Sequence, residues 1–105
     1  LEAFYAMNVN VAFGTDSLAS TPDLNMFAEL AEARRLAPRV SARTLLESAT
    51  RRGAVALGFE DGYGTLEAGK RAQIIAVRIP SDVSDVEEYL LSGIEPSMIQ
   101  WIDVE

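Results

Sequence analysis

The sequence predicts an α/β protein in which one strand is followed by a group of helices and then by further strands. Three observations support this order. Residues 8–13 alternate with a period of two, residues 22–57 carry apolar side chains at helical spacing, and residues 73–79 and 98–104 are rich in β-branched and aromatic side chains. The first strand has no evident partner along the chain, so we expect its neighbours to lie outside these 105 residues.

Composition restricts the classes of function that the chain can have. A length of 105 residues with 49% apolar content is enough for one modest core. The net charge of -7 repels phosphate backbones and anionic lipid surfaces, so we expect neither nucleic acid nor a membrane as the main partner. Cysteine is absent, which excludes disulfides and thiolate ligands, and no apolar run approaches the roughly 20 residues of a membrane helix. We expect a cytoplasmic protein.

The N-terminal half is predicted to be mainly helical. Residues 1–7 are typical of the end of a helix, and Gly14 ends the strand at 8–13. Thr21 and Pro22 suit the cap and the first position of a long helix, which Pro38 closes because the residue before a proline is forced out of helical geometry. The apolar face predicted for this helix comprises Leu24, Phe27, Ala28 and Ala31.

Two shorter helices are predicted next. Ser41 is a suitable cap for the first of them, and its apolar stripe is formed by Leu45, Leu46 and Ala49. A break at residues 50–53 separates it from a short helix through Ala54, Val55 and Leu57. Gly58 then stands where a left-handed C-cap is expected.

The C-terminal part changes character at Gly58. Repeated glycines up to Gly69 predict two short extended pieces joined by a tight turn, and a strand follows at residues 73–79. Ser84 can cap a helix that stops at Gly93. A last strand is predicted at residues 98–104.

Two motifs in this part could be read as binding sites, but each is better explained as a turn. Residues 64–71 match a phosphate-binding loop except that Arg71 stands where serine or threonine must bind magnesium. A glycine-containing β-turn with an exposed basic tip is therefore the preferred interpretation. Glu60 and Asp61, beside Tyr63, lack the spacing of a calcium loop and are interpreted as a solvated turn.

Asp16, in the stretch AFGTDSLAS, differs from the other acidic residues because it directly follows the strand predicted at residues 8–13. The catalytic groups of α/β barrels and open sheets collect at the C-terminal ends of strands, where the loops converge. Aspartate is also a good capping residue for a turn or a helix. The local pattern supports both interpretations equally, a carboxylate of a site and a capping residue.

Several motifs together resemble one family. The segments VAFGTDSLAS, DLNMFAEL, SARTLLESATRRGAVALGF and GYGTLEAGKRAQIIAV follow one another in the order and spacing of the C-terminal part of amidohydrolase-superfamily enzymes. The resemblance is greatest to the branch of cytosine-deaminase-like enzymes, purine-type deaminases and triazine hydrolases. It implies that residues 8–13 are the last strand of a (β/α)8 TIM-type barrel and that residues 22–57 pack outside it. We expect two domains, residues 1–60 in the barrel and residues 61–105 as strands and one helix of a small accessory β-sandwich.

The same resemblance implies a role for Asp16. At this position such enzymes carry an aspartate that ligates one catalytic divalent metal ion, zinc or iron, and moves a proton. A bound metal lowers the pKa of its water to about 7, and a neighbouring carboxylate can take up the released proton. We therefore predict Asp16 as the catalytic and metal-ligating residue of a hydrolase that deaminates an amino-substituted heterocycle at a C–N bond. Ser17 is predicted to bind substrate, and the loop through Asn25 to line the mouth of the site.

The chain departs from the family in its other metal ligands. These are histidines in the family, and this sequence contains none. Catalytic zinc takes three or more protein ligands, so one carboxylate is insufficient. Family members also usually carry aspartate at the position of Gln73. We expect the 105 residues to be inactive by themselves and to depend on the missing N-terminal part of the same protein for the other ligands.

Two functional hypotheses follow. The first is the C-terminal segment of a metal-dependent deaminase or related hydrolase. The alternative is a non-catalytic α+β binding or oligomerisation module derived from the same family, in which residues 8–13 pair within the chain or with a second copy. Apolar faces around Leu24, Phe27 and Leu45, if exposed, lead us to expect self-association.

Overall fold

Helices precede and separate two short strands in this chain. The computed structural model describes residues 1–14, 25–71 and 74–102. The elements are α1 (Glu2–Ala6), α2 (Met26–Leu36), α3 (Ala42–Ser48), α4 (Arg51–Leu57), β1 (Ile74–Val77), α5 (Val86–Tyr89) and β2 (Ile99–Ile102), with a 3-10 turn at Pro96–Met98. The chain thus has the α/β character that the sequence predicts. Within the described ranges, none of these helices combines the length and the apolar character needed to cross a membrane.

The start of α2 differs from the prediction. The helix begins at Met26, and its N-cap is Asn25, whose side-chain oxygen accepts a hydrogen bond from the N–H of Phe27 at 2.9 Å. An asparagine cap satisfies a backbone donor that the first turn of a helix leaves without a partner. Thr21 and Pro22, predicted to be the cap and the first helical residue, lie outside the described residues.

The C-terminal end of α2 lies where it is predicted, but the buried face of the helix differs from the predicted apolar face. The helix ends at Leu36, shortly before Pro38, as predicted. Its buried residues are Leu30 and Ala33, whereas Ala28, predicted to lie on the apolar face, is exposed. The neighbouring elements, rather than the pattern of the helix alone, decide which side of α2 is covered.

The turn from α3 into α4 agrees closely with the prediction. Ser41 caps α3 by accepting a hydrogen bond from the N–H of Thr44 at 3.2 Å. Gly58 ends α4 with a φ of 77°, the left-handed conformation expected at a C-cap. The predicted break at residues 50–53 is shorter in the structure, because α4 already begins at Arg51.

The buried centre of the protein lies between α2, α3 and the turn after α5. Its members are Leu30, Ala33, Leu45 and Leu91, and Phe27 packs partly buried against them. Leu45 is completely buried, so the expectation that it belongs to an exposed apolar face is wrong. Burying one such leucine side chain stabilises the fold by about 1.5–3 kcal/mol. The segment around Leu91 therefore supplies the cover that α3 requires.

Charged groups attach α5 to the helices. Asp85, rather than the predicted Ser84, caps α5 by accepting a hydrogen bond from the N–H of Glu88 at 3.0 Å. Glu87, in the same helix, forms an ion pair with Arg43 of α3 at 3.1 Å. The hydrogen bond from the guanidinium group to Glu87 raises the pKa of Arg43. This pair is exposed, so we expect its contribution to weaken as salt is added.

Arg34 connects the end of α2 with α5. Its Nη1 donates hydrogen bonds to the backbone oxygens of Ala37, Pro38 and Val40, at 3.0, 3.1 and 2.8 Å. Its Nε donates to a carboxylate oxygen of Glu88 at 2.9 Å. One guanidinium group thus satisfies three carbonyls at the turn between α2 and α3 and also binds an acidic residue of α5.

The strands β1 and β2 form an antiparallel two-stranded sheet in which Ile75 lies opposite Trp101. Both lie within the strands predicted at residues 73–79 and 98–104, but the structure assigns shorter strands. Trp101 is 69% exposed and Ile75 is 39% exposed, so the sheet is poorly covered at this pair. A two-stranded sheet is only marginally stable without further packing.

Residues 58–71 form turns, and the prediction of two extended pieces is wrong. The N–H of Arg71 donates to the oxygen of Gly62 at 2.9 Å, which closes this part of the chain on itself. Gly64 and Gly69 have φ values of 103° and 90°. Such angles reverse the chain locally and keep its backbone groups from forming a ladder.

Residues 8–14 are not paired in a sheet with any other described residue, so the strand predicted at 8–13 is not formed here. Asn8 has a left-handed φ of 59°, which interrupts an extended conformation at the start of the segment. The N–H of Phe13 instead donates to the backbone oxygen of Ser48 at 3.0 Å. A parallel strand requires neighbouring strands for its hydrogen bonds, and the described strands β1 and β2 pair with each other.

Gly64 gives a test of how the 58–71 turns pack against α4. A Cβ at this position would lie 2.9 Å from the Cβ of Ala54 and 3.1 Å from the Cα of Arg51. Backbone strain and overpacking add, so we expect Gly64→Ala to lower the free energy of unfolding by about 1–3 kcal/mol in urea denaturation. Gly62→Ala is the matched control, because its Cβ would meet nothing within 4 Å. Equal unfolding midpoints for the two variants would contradict the close approach at Gly64.

Candidate functional site

The two predicted site residues, Asp16 and Ser17, lie outside the described residues. The structure does describe both neighbours of the stretch that carries them, Gly14 on the N-terminal side and Asn25 on the C-terminal side. The geometry of these two attachments is therefore what the fold contributes to the candidate site.

The N-terminal attachment centres on Ser48 of α3. The backbone oxygen of Ser48 accepts the hydrogen bond from Phe13, and its side-chain hydroxyl shares a hydrogen bond of 2.6 Å with the hydroxyl of Tyr5. Ser48 is completely buried, and a buried polar group without a partner is costly. These two bonds fix the segment before Gly14 against α3.

Arg52 of α4 reinforces this attachment. Its guanidinium group lies 5.8 Å from the ring centre of Tyr5, and its Nη1 donates a long hydrogen bond of 3.4 Å to the oxygen of Val9. In return, the side-chain amide of Asn10 donates to the backbone oxygen of Arg52 at 3.2 Å. The Nε of Arg52 is buried without a hydrogen-bond partner among the described atoms. A carboxylate oxygen of Glu47 lies 3.9 Å from it and offsets part of the positive charge.

The C-terminal attachment is made by Asn25. While its Oδ1 caps α2, its Nδ2 donates a hydrogen bond to the backbone oxygen of Ile94 at 3.2 Å. The two bonds require the same orientation of the Asn25 amide. The N–H of Phe27 needs the amide oxygen as acceptor, and the carbonyl of Ile94 needs the amide nitrogen as donor. Sequence reasoning assigned the loop through Asn25 to the mouth of the site and missed this role. The signal was present, because asparagine directly before a helical pattern is a typical N-cap.

One cavity in the described part of the protein has a volume of about 570 Å³ and is an open groove beside α4. Its polar contribution includes Arg71, whose guanidinium group lies 5.9 Å from the ring centre of Tyr63. Catalytic pockets combine apolar walls with a few converging polar groups, and the described residues that line this groove include no acidic side chain. Its main apolar side chains are Phe13, Leu57, Phe59, Tyr63, Leu66 and Ile75.

The two motifs set aside in the sequence are turns in the structure. Arg71 is exposed, as the predicted basic tip requires, whereas the Lys70 side chain is only 16% exposed and its Nζ donates to the hydroxyl of Thr65 at 2.8 Å. Glu60 and Asp61 are both exposed, in agreement with a solvated turn. Neither motif has the geometry of a phosphate or calcium site.

The donor groups of the described residues do not form a metal site. Among the described residues, no three acidic side chains gather closely enough to hold an ion, and the sequence has no histidine or cysteine. Asp16 is a suitable ligand type for zinc, but a catalytic zinc needs further protein ligands.

Comparison with known proteins identifies the family. Residues 1–97 match the amidohydrolase family, and the chain belongs to it. The chain is 40% identical over 92 residues to a 5-methylthioadenosine/S-adenosylhomocysteine deaminase of Teredinibacter turnerae, which covers 81% of the chain and 20% of that relative. It is 46% identical over 81 residues to the protein of the same name from Desulforudis audaxviator, which covers 70% of the chain and 19% of that relative.

A solved structure gives the same assignment. The fold matches a crystal structure of an adenosine deaminase from Xanthomonas campestris with bound zinc, with a TM-score of 0.82 and 33% sequence identity. The match covers 92% of this chain and 25% of the other. The chain therefore spans about a fifth to a quarter of the length of the relatives that it matches.

The bond between Tyr5 and Ser48 can be tested by a double-mutant cycle. Tyr5→Phe leaves the buried Ser48 hydroxyl without this partner, so we expect a loss of about 1–3 kcal/mol in the free energy of unfolding. Ser48→Ala and the double variant complete the cycle in urea denaturation. The double variant leaves neither hydroxyl unpaired, and we expect it to cost about 0.5–1.5 kcal/mol less than the sum of the single changes. Strict additivity would exclude the bond as a stabilising contact.

Proposed function

We propose that these residues are the C-terminal part of a metal-dependent deaminase that acts on an aminopurine nucleoside. In the reaction water replaces the exocyclic amino group of the heterocycle, and ammonia leaves. The observation that carries the proposal is the match of residues 1–97 to the amidohydrolase family together with relatives whose names are those of adenosine-type deaminases. The activity belongs to the longer protein, and we expect the 105 residues alone to release no ammonia.

In this proposal Asp16 is a metal ligand and the residue that holds and returns a proton. Zinc, when bound in such a site, lowers the pKa of its water so that hydroxide is available at neutral pH. A carboxylate suits the role of Asp16 because it can accept a proton and deliver it to a leaving amine. Ser17 is proposed to contact the substrate. The support from the described residues is that the chain is hydrogen-bonded to the core on both sides of this stretch.

We propose the domain division at residue 60, with residues 1–60 in a (β/α)8 barrel and residues 61–105 in a β-sandwich. In support, four helices precede this boundary in the described chain, and both described strands follow it. The small exposed sheet of β1 and β2 would gain stability from further strands of the longer protein. In the barrel, residues 8–13 would find the parallel neighbours that the described chain lacks.

The alternative, a non-catalytic binding or oligomerisation module, predicted that residues 8–13 pair within this chain or with a second copy. The first of these arrangements is not found among the described residues. The deaminase assignment therefore has the stronger support.

The role of Asp16 is tested in the full-length protein by ammonia release from adenosine and by zinc analysis. We expect Asp16→Asn to lower kcat by at least about 100-fold, since it removes both the proton acceptor and a charged ligand. The zinc content should fall in parallel.

Asp61→Asn is the matched control for this experiment. It neutralises an aspartate in an exposed turn, so activity and zinc content should stay at the wild-type level. An Asp16→Asn enzyme with full activity would refute the assigned role. A panel of aminopurine nucleosides, aminopyrimidines and aminotriazines in the same assay identifies the substrate class.

We also propose that the 105 residues self-associate when separated from the rest of the protein. The basis differs from the expected one, because Leu45 is buried and Leu24 lies outside the described residues. The exposed apolar side chains among the described residues instead include those of Met7, Leu57, Leu66 and Trp101. Exposed apolar patches of this kind promote association.

Light scattering of the isolated chain at high micromolar concentration tests this proposal. We expect species larger than a monomer, and Leu66→Lys should shift the distribution toward the monomer because Leu66 is 79% exposed. Thermal unfolding should be little changed, since an exposed side chain contributes little to the folded core. A monomeric wild-type chain would contradict the proposal.

A further inference from the structure

The groove beside α4 exposes apolar side chains that a folded protein normally covers. Leu57 is the last residue of α4 and is 71% exposed, and Phe59 and Leu66, in the turns at residues 58–71, are 56% and 79% exposed. All three line the same cavity of about 570 Å³, so they form one surface and are not scattered single residues. A contiguous exposed apolar patch marks a surface that another molecule or segment covers.

The turns that shape this groove are fixed by the fold. The N–H of Tyr63 donates to the backbone oxygen of Phe59 at 3.0 Å, and the two rings meet edge to face with their centres 6.1 Å apart. Gly64 lies so close to the buried Ala54 of α4 that there is no room for a side chain between them. The groove therefore exists before anything fills it, and a preformed surface loses little conformational freedom on binding.

Arg71 places one positive charge in this apolar lining. Its side chain is exposed, and its guanidinium group lies 5.9 Å from the ring centre of Tyr63. The described residues that line the groove include no acidic side chain that could pair with it. Covering a guanidinium group with apolar atoms alone is costly, so the occupant of the groove has to bring an acceptor. A carboxylate is the acceptor that matches arginine best.

The length of the relatives favours another part of the same polypeptide as the occupant. A relative that is 40% identical and a solved structure that matches with a TM-score of 0.82 are covered by this chain over only 20% and 25% of their lengths. A protein of that size has most of its residues outside the part described by this structure. An apolar surface that these residues leave open can therefore be an interior surface of the longer protein.

We propose that the groove beside α4 is the surface on which another segment of the same polypeptide docks, through apolar side chains and one carboxylate that pairs with Arg71. The apolar side chains of this segment cover Leu57, Phe59 and Leu66. The proposal rests on the proposed function only in taking these residues as part of a longer protein. It does not depend on the role of Asp16.

Thiol labelling of the full-length protein tests whether the groove is covered. Leu66→Cys places a thiol in the groove, and Asp82→Cys is the matched control in an exposed turn outside it. The modified peptides are identified by mass spectrometry. We expect labelling of Leu66→Cys to be slower by about tenfold or more in the folded protein, because the reagent must wait for local opening. In urea the two variants should react at the same rate.

Charge reversal tests the carboxylate. We expect Arg71→Glu to lower the urea midpoint of the full-length protein, because it would set two negative charges against each other in a covered site. Arg71→Lys keeps the charge and should retain most of the stability. Arg78→Glu is the matched control, since Arg78 is also exposed but does not line the groove, and its midpoint should stay at the wild-type value.

Three results would overturn the proposal. The first is equally fast labelling of Leu66→Cys and Asp82→Cys in the folded protein. The second is protection of Leu66→Cys that disappears on dilution to the monomer, which would make a second copy the occupant. The third is an unchanged midpoint in Arg71→Glu, which would exclude the pairing carboxylate.

Ammonia release by the wild-type protein separates this proposal from the function. Protection of Leu66→Cys in a protein that releases no ammonia from any tested heterocycle would support the docking surface and refute the deaminase function. Ammonia release together with fast labelling of Leu66→Cys would refute the docking surface alone. We expect release of ammonia and protection that does not depend on protein concentration.

Discussion

The guanidinium group of Arg34 is the contact on which the rest of the fold depends most. It donates to three backbone oxygens at the turn between α2 and α3 and to Glu88 of α5. One of the three oxygens belongs to Ala37, a completely buried residue, and it also accepts a hydrogen bond from the N–H of Val40 at 3.3 Å. The planar, multiply donating form of arginine suits this task, whereas lysine could not satisfy the same set. It thereby holds the turn that leads into α3 and, together with the Arg43–Glu87 ion pair, attaches α5 to the helices.

The consequences reach the candidate site through packing. With α5 attached, Leu91 enters the core against Leu30 and Leu45, and the carbonyl of Ile94 meets Asn25. On the other side, Ser48 of α3 receives the N–H of Phe13. The two ends of the stretch containing Asp16 are therefore held by elements that share one small core. In the proposed enzyme, this part of the chain would contribute the Asp16 carboxylate, and the remaining metal ligands would come from the rest of the protein.

The correct and incorrect predictions differ in the range of the interactions that they required. Ser41, Pro38 and Gly58 were assigned correctly because a cap, a helix end and a left-handed residue depend on neighbours within one turn. The start of α2 was misassigned because Thr21–Pro22 and Asn25 are both plausible caps, and the bond to Ile94 that requires an amide at residue 25 is not visible in sequence. The prediction for residues 58–71 is wrong because hydrophobic periodicity and glycine content do not specify which backbone groups form hydrogen bonds with each other.

The sequence alone determined the family, the α/β character and most helix ends, since each of these is encoded in local residue types or in the order of motifs. It also singled out Asp16 by its place after an alternating run, a prediction that the described residues leave open. Only the tertiary structure decided which faces are buried, how α5 reaches the core and which groups hold the chain on either side of Asp16. Those features depend on contacts between residues separated by dozens of positions, such as Tyr5 with Ser48 and Asn25 with Ile94. Such contacts stabilise the protein only after folding has brought both partners together, so a local sequence pattern cannot predict them.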